Sequence, residues 1–224
     1  MTRGIDISHH NSDDPGHTPI DWQRVAAITS PAIPPQFAII KISEGADFRD
    51  AAAAANAQGA GGAGILFGYY HFARPGVNAA AAEAANFYNA YAAIGIAPTF
   101  NYPFALDLEE NNGLMPAAYL AWVEEFLQTF TGYFGGASLI AGPAGTGSVA
   151  LAESVILIYG QPDFLTANLA PGHTLGSRFP LWVAGPGRTS PALPLGWTDW
   201  AVWQYDWHAA IPGIVGDVDA NWMK

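Results

Sequence analysis

The sequence predicts an α/β fold, a closed β/α barrel with eight strands and fewer than eight helices. Over most of the chain, eight short apolar runs alternate with Ala-rich or amphipathic stretches of helical character. Uninterrupted apolar runs are typical of strands covered on both faces, as in parallel sheets. After residue 160 the alternation breaks down, because the proline-containing gaps 187–200 and 206–216 leave no room for a packed helix. The last units of the barrel are therefore expected to lack helices.

The elements follow one another without a linker, so residues 1–224 are predicted to form a single domain. The predicted strands span residues 4–8, 37–43, 65–72, 102–109, 155–159, 181–184, 201–205 and 216–219. The predicted helices span residues 21–28, 50–58, 78–94 and 116–131. Gly59 and Gly95 are expected to end the second and third helices, and Asn78 to cap the third. The Gly-rich stretch 135–147 is expected to be a loop excursion.

The composition argues against several classes of protein. The net charge is -11, from 8 basic and 19 acidic residues, and the lack of a basic cluster argues against a nucleic-acid partner. No apolar run reaches the roughly 18 residues of a membrane span. Cysteine is absent, which excludes disulfides and thiolate metal sites. The first residues lack the long apolar stretch of a secretory signal peptide.

Two carboxylates at the end of the fourth predicted strand, Asp107 and Glu109, are the strongest sign of chemistry. Alternate residues of a strand point to the same face, with Cα atoms roughly 6.6 Å apart. Two like charges so close do not ionise independently, so one pKa is expected to rise and the other to stay low. A proton donor beside an anion is what cleavage of a glycosidic bond requires.

Other acids follow or end predicted strands. In a β/α barrel the active site lies at the carboxyl ends of the strands. Asp6 lies in the first predicted strand and Asp219 ends the last one. The topology therefore predicts that Asp6, Asp107, Glu109 and Asp219 converge on one mouth of the barrel.

Several short motifs, in order from residue 4 to residue 221, resemble glycoside hydrolase family 25, the Chalaropsis-type lysozymes. The motifs are Gly4-Ile-Asp-Ile-Ser-His-His10, Ile20-Asp-Trp22, Phe37-Ala-Ile-Ile-Lys-Ile-Ser-Glu-Gly45, Gly68-Tyr-Tyr-His-Phe-Ala73, Ala105-Leu-Asp-Leu-Glu109, Trp203-Gln-Tyr205 and Val218-Asp-Ala-Asn221. The resemblance implies a flattened, irregular TIM-like barrel, in agreement with the strand pattern. It also implies hydrolysis of the β-1,4 bond between N-acetylmuramic acid and N-acetylglucosamine in peptidoglycan.

The resemblance also implies roles for individual residues. Glu109 corresponds to the proton donor of the family and Asp107 to its partner acid. Asp6 and Asp219 correspond to two further acids at the rim of that site. The positions of expected substrate contacts are Tyr70, Tyr159, Trp182 and Gln204. Departures from the family pattern fall in the Gly-rich insertion between Tyr133 and Ser154 and in Gly185-Pro-Gly-Arg188, which replaces a more usual aromatic ending.

The same resemblance sets expectations about partners and location. The expected partner is the glycan strand of bacterial peptidoglycan, and the expected site of action is the cell wall. A secreted enzyme or a phage lysin released from the cytoplasm fits this equally well. The protein is expected to be a monomer that needs no metal and no organic cofactor.

Two other functions remain open on the sequence alone. The first is a chitinase-like hydrolase of acetamido sugars, a class that also carries Asp-x-Glu on its fourth strand. That class normally has a further Asp two residues before the pair, where this chain has Ala105. The second is a barrel that binds glycans without cleaving them, and the presence of all four acids argues against it.

Some conspicuous side chains are expected to be structural. His9 and His10 lack a third ligand for zinc, which needs three or more, and His71 is expected to be a hydrogen-bonded core residue. Glu44 is expected either to pair with Lys41 or to contact substrate. The tryptophans near the end of the chain are expected to lie mostly in the core or at the bottom of the barrel: Trp200, Trp203, Trp207 and Trp222.

Overall fold

The computed structural model describes residues 1–12, 16–29, 33–135 and 153–224, and eight of its nine strands close into a barrel. The strands are β1 Thr2–Ile7, β2 Phe37–Glu44, β3 Phe48–Arg49, β4 Leu66–Phe72, β5 Phe104–Asp107, β6 Ile156–Gly160, β7 Leu181–Ala184, β8 Val202–Ala209 and β9 Val218–Met223. The short β3 pairs only with the end of β2 and stands outside the barrel. The predicted eight-stranded barrel is confirmed.

The barrel is mixed, and its last strand runs against its neighbours. Each pairing from β1 through β2, β4, β5, β6, β7 and β8 is parallel. Strand β9 is antiparallel to both β8 and β1, and these two pairings close the barrel. The eighth strand predicted at 216–219 overlaps β9, which begins two residues later and ends four residues later. The sequence does not predict the direction of this strand.

Six helices surround the strands within the described residues, which confirms the expectation of fewer than eight. They are α1 Trp22–Ala26, α2 Ala53–Gly62, α3 Ala80–Ile94, α4 Pro116–Gly132, α5 Pro162–Asn168 and α6 Leu175–Arg178. The gaps 187–200 and 206–216 contain no helix, as predicted, whereas the short α5 and α6 are not predicted. No helix in the described ranges has the length and apolarity to cross a membrane. The loop expected over 135–147 lies outside the described residues except for Gly135.

The alternation of side chains along each strand sorts them into two hydrophobic layers. Along β2, Ala38 and Ile40 pack outward in the layer shared with the helices, whereas Phe37 and Ile39 fill the barrel interior. The interior layer also contains Tyr70, Ala105, Leu157, Tyr159, Trp182 and Val202. Interior positions on a strand repeat every two residues. The residues two positions beyond Ala105 and Val202, namely Asp107 and Gln204, therefore face into the barrel.

Helix α2 shows why a glycine is not always a helix terminator. The sequence predicts that the helix ends at Gly59, but it continues to Gly62. A side chain at Gly59 would overlap the indole of Trp22, so the glycine lets α1 and α2 approach closely. Helix α3 ends at Gly95 as predicted, with φ of 67°, in the left-handed region that glycine adopts without strain. Its predicted cap is wrong, because Ala79 is the N-cap and the Asn78 side chain bonds Glu83 instead.

The contact between Gly59 and Trp22 predicts opposite effects for two glycines of one helix. Gly59→Ala should lower the free energy of unfolding by about 1–3 kcal/mol, because the added methyl overpacks against Trp22. Gly62→Ala is the matched control, since a methyl there meets nothing within 4 Å, and it should change stability by less than about 1 kcal/mol, in the stabilising direction. Urea denaturation of both variants measures the difference. Equal effects would contradict the packing role of Gly59.

Candidate active site

A cavity of about 320 Å³ opens at the mouth of the barrel where the parallel strands end. Its lining includes every residue that the sequence analysis singles out for catalysis or substrate contact. Those eight residues are Asp6, Tyr70, Asp107, Glu109, Tyr159, Trp182, Gln204 and Asp219. The structure thus brings together side chains from seven strands and from the segment that follows β5.

Asp107 and Glu109, at the end of β5 and just after it, both line this cavity but differ in burial. Asp107 is the last residue of the strand and is buried. The chain continues past the strand with Leu108, whose backbone N–H donates to the carbonyl of Tyr159 at 3.0 Å and whose side chain is buried. Glu109 is an exposed residue that still lines the cavity. Of the two acids, Glu109 is thus the one that a ligand in the cavity reaches more easily.

Asp219 reaches the same mouth by a route that the sequence does not predict. Because β9 runs antiparallel to β1, the mouth receives the beginning of β9 and not its end. Asp219 is the second residue of β9 and lies directly opposite Asp6 in the register of the two strands. Like charges in such cross-strand pairs are destabilising. The surrounding groups must therefore compensate for them.

Two buried amides provide this compensation. Asn221 donates to Oδ2 of Asp6 at 2.7 Å, and its own oxygen accepts from the indole of Trp182 at 2.8 Å. Gln204 donates from Nε2 to Asp6 at 3.0 Å and to Asp219 at 3.3 Å. Asn221 is a site residue that the sequence analysis quotes in a motif but does not single out. Its position two residues after Asp219, on the same strand face, is the signal that identifies it.

All polar atoms of the Gln204 side chain are engaged within the protein. Its Oε1 accepts hydrogen bonds from the Tyr159 hydroxyl at 2.8 Å and from the Trp207 indole at 2.7 Å. The residue is only 2% exposed. The amide therefore has a fixed orientation, with its donor side toward the two acids of β1 and β9.

Burial raises the pKa of the four acids. For Asp6 the main cause is loss of water, followed by the charge of Asp219, and the bonds from the two amides offset part of the rise. The pKa of Asp107 rises through burial and then through the charge of Glu109. Partial loss of water also raises the pKa of Glu109, and a hydrogen bond with Tyr159 offsets part of this rise. Burial raises the pKa of Asp219 to about 6.

The expectation that one acid of the Asp107 and Glu109 pair keeps a low pKa is therefore wrong. The physical reason is that Asp107 loses water without gaining donors. Its Oδ1 is buried and has no hydrogen-bond partner among the described residues. A buried oxygen without donors disfavours the charged form of a carboxyl group. The four acids titrate as a coupled group that retains protons above the ordinary range.

A chain of ion pairs flanks the cavity on the β2 and β4 side. Lys41 contacts Glu44 at 2.6 Å, and Arg74 contacts the other oxygen of Glu44 at 2.5 Å. Arg74 also pairs with Glu110, which follows Glu109 directly. Lys41 lines the cavity and lowers the pKa of Asp107, though less than burial raises it. Of the two expectations for Glu44, the ion pair with Lys41 is confirmed.

The histidines near the site have structural partners. His71 is fully buried between Ser43, at 2.9 Å from Nδ1, and Glu83, at 3.0 Å from Nε2, which confirms its predicted core role. His9 bonds Asp50 through Nδ1 at 3.0 Å. The described part of the chain holds no group of three or more His, Cys, Asp or Glu arranged for a metal ion. The absence of a metal or organic cofactor remains a prediction.

The prediction for the late tryptophans is only partly correct. Trp203 is buried, in agreement with a core role. Trp207 is 38% exposed and bonds Gln204, so it belongs to the mouth of the barrel. The reason is that β8 extends to Ala209, beyond its predicted end at residue 205, and carries Trp207 past the rim.

The raised pKa of Asp219 predicts how stability depends on pH. Folding raises this pKa from 3.8 to about 6, so the folded state holds the proton more tightly than the unfolded state. The resulting stabilisation is fully present below pH 3.8 and is lost as the pH rises through about 6. Asp219→Asn should therefore gain stability relative to the wild type between pH 4 and pH 7. Urea denaturation across this range, with exposed Asp47→Asn as the control for charge removal, measures it. A constant difference would contradict the pKa shift.

Comparison with known proteins agrees with this architecture. The model of the glycosyl hydrolases family 25 matches residues 5–140. Lysozyme M1 of Streptomyces globisporus is 27% identical over 225 residues, covering 98% of this chain and 66% of that protein. This chain thus spans just under two thirds of the length of that relative.

Solved structures show the same fold. A bacterial lysozyme from Streptomyces coelicolor has a TM-score of 0.77 at 27% identity, covering 100% of this chain and 92% of the other. A muramidase from Acremonium alcalophilum has a TM-score of 0.72 at 26% identity, with coverages of 100% and 94%. Since the family model matches more than half of the sequence, the chain belongs to the glycosyl hydrolases family 25.

Proposed function

We propose that the chain is a lysozyme of the N-acetylmuramidase type. Its substrate is the β-1,4 bond between N-acetylmuramic acid and N-acetylglucosamine in peptidoglycan. The observation that carries this proposal is the meeting of Asp6, Asp107, Glu109 and Asp219 around one cavity. Family membership and the printed names of the similar lysozymes and muramidase support the choice of substrate.

Glu109 is the proton donor in this proposal. Unlike the buried Asp107, it is exposed at the cavity, so a glycosidic oxygen can approach it, and its pKa is raised by partial loss of water. A general acid works best when its pKa lies near the working pH, because it then holds a proton and still releases it readily. The nearby charge of Glu110 raises the pKa of Glu109 further, and the charge of Lys41 lowers it by a smaller amount.

The second group in the reaction is the 2-acetamido group of the sugar itself. A carboxylate that attacks the sugar directly must face the donor across the ring, about 5 Å away. Asp107 and Glu109 lie one residue apart at the end of one strand, which does not suit this arrangement. In the proposed route the acetamide oxygen attacks the anomeric carbon as the bond to the glycosidic oxygen breaks, and Glu109 gives its proton to that leaving oxygen. Asp107 accepts a hydrogen bond from the acetamide N–H during this step. Water then attacks the anomeric carbon, gives a proton to the Glu109 carboxylate and releases the acetamide oxygen. Such substrate assistance is a recognised route for glycosidases.

The other two acids hold this arrangement in place. Asp6 and Asp219 face each other beside the cavity, and the amides of Gln204 and Asn221 fix Asp6. Aromatic walls from Tyr70, Tyr159 and Trp182 provide surfaces for the sugar rings. Each of these three side chains is buried apart from the part that lines the cavity.

The proposal includes the place of action. A peptidoglycan hydrolase acts at the bacterial cell wall, which it reaches by secretion or by release as a phage lysin. We further propose that the chain acts as a monomer on glycan strands, without a nucleic-acid partner.

Replacing the acidic side chain of Glu109 by an amide tests the proposal. Glu109→Gln should lower the rate of peptidoglycan hydrolysis by about 10²–10⁴-fold, because the amide cannot donate a proton to the leaving oxygen. Glycan binding should persist, since the side chain keeps its size. Release of new reducing ends from purified peptidoglycan, with mass spectrometry of the sugar at the new end, measures the effect.

The control for this variant is Glu125→Gln, which removes an exposed acid on α4 away from the cavity and should leave the rate unchanged. Retained activity in Glu109→Gln would contradict the assignment of the donor. Cleavage of chitin oligomers but not of peptidoglycan would overturn the proposed substrate.

Acetamido participation predicts the stereochemistry of the product. Two displacements at the anomeric carbon return it to its starting configuration, so the first product should be the β-anomer. Proton NMR of a digest of soluble glycan, recorded before mutarotation, distinguishes the anomers. An initial α-anomer would show inversion and would require an acid that activates water.

A further inference from the structure

A second cavity, of about 160 Å³, lies beside the first at the same mouth of the barrel. Its walls come from the segments that follow β6 and β7 and from the end of β8. The lining residues are Gln161, Pro162, Asp163, Ala184, Gly185, Pro186, Arg188 and Trp207. None of them is among the catalytic or substrate-contact residues predicted from the sequence.

Gln204 joins the two cavities. Its side chain lines the first cavity, and its Oε1 accepts from both Tyr159 of the first cavity and Trp207 of the second. The bond to Trp207 is 2.7 Å long and fixes the orientation of an indole that remains 38% exposed. A fixed, partly exposed indole offers a flat apolar face without further loss of side-chain entropy. Such a face suits the apolar side of a pyranose ring.

Arg188 gives the second cavity a positive charge. It is exposed and forms no ion pair with any residue that the structure describes. The other cations near the mouth, Lys41 and Arg74, are both paired with Glu44. The net charge is -11 and five acids line the first cavity, so a cation without an acidic partner beside that cavity, Arg188, is suited to attract an anionic substrate.

We propose that this second cavity binds an acidic sugar of the glycan strand, with the ring on Trp207 and a carboxylate beside Arg188. The inference rests on the proposed function and specifies which unit of the substrate occupies the second cavity. Among the sugars of peptidoglycan, the muramyl unit carries a lactyl group whose carboxylate is free or extended into a peptide. N-acetylglucosamine carries no such group. Asp163 lines the same cavity and is an acceptor for sugar hydroxyls.

Two tetrasaccharides that differ in their carboxylates test this inference. One alternates N-acetylglucosamine with N-acetylmuramic acid, and the other contains N-acetylglucosamine alone. Calorimetric titration into the Glu109→Gln variant measures binding without turnover. Arg188→Gln in that background should weaken binding of the muramyl tetrasaccharide by about threefold to fivefold and leave binding of the other unchanged. Arg188→Lys keeps the charge and should retain most of the affinity.

The indole is tested with the same probes. Trp207→Ala should weaken binding of both tetrasaccharides by about tenfold, because both lose the stacking surface. Trp207→Phe keeps an aromatic ring and should lose less. The matched controls are exposed Arg24→Gln on α1 and Trp200→Phe before β8, which lie outside both cavities and should change neither affinity.

The outcomes separate this inference from the proposed function. An Arg188→Gln variant that affects both tetrasaccharides equally, or neither, would overturn the acidic subsite even if the wild type digests peptidoglycan. No measurable binding of the muramyl tetrasaccharide would overturn it as well. Selective loss of that ligand in Arg188→Gln, in a protein whose wild type does not cleave peptidoglycan, would support the subsite and reject the proposed function.

Discussion

The pairing of β9 with β1 is the constraint on which the site depends. It closes the barrel, and its register sets two carboxyl groups, Asp6 and Asp219, opposite each other on adjacent strands. Two negative charges so close together are unfavourable away from water. The buried amides of Gln204 and Asn221 donate hydrogen bonds to these carboxyl groups, and the pKa values of Asp6 and Asp219 are raised, which favours their protonated forms. The strand pairing that stabilises the fold thereby creates the proton-retaining pocket that a glycosidase needs.

Much of the site is predictable because it depends on local rules. Alternation along a strand requires Asp107 to share a face with Ala105, and a β/α barrel gathers the carboxyl ends of its parallel strands at one mouth. These rules account for the meeting of Asp6, Asp107 and Glu109 at the mouth. Asp219 lines the same cavity, although it comes from the beginning of the antiparallel β9 and not from the end of a parallel strand. The resemblance to family 25 adds the aromatic walls and Gln204, all of which line the cavity too. The alternation of inward-facing and outward-facing residues along the strands is visible in the sequence itself.

The parts that the sequence does not predict depend on long-range packing. An apolar run has the same pattern in either direction, so the sequence does not predict that β9 runs antiparallel to its neighbours. This reversal brings the beginning of β9 to the mouth. Gly59 has the local signature of a helix end, yet its contact with Trp22 from α1 keeps it inside α2. Trp207 is expected in the core from the sequence, but β8 extends to Ala209 and places this residue beyond the rim. The burial that raises the pKa of Asp107 above that of an ordinary acid likewise depends on the complete barrel.

The central claim is that the closed barrel keeps at least one proton on its four clustered acids under conditions in which isolated carboxyl groups are ionised. A carbon-13 NMR titration of the Asp and Glu carboxyl groups of the folded protein tests it directly, with assignments from single Asn or Gln substitutions. The account predicts that signals from Asp6, Asp107, Glu109 and Asp219 titrate above the ordinary values of 3.8 and 4.5, with Asp219 near 6. Titration of all four at or below those ordinary values would contradict it.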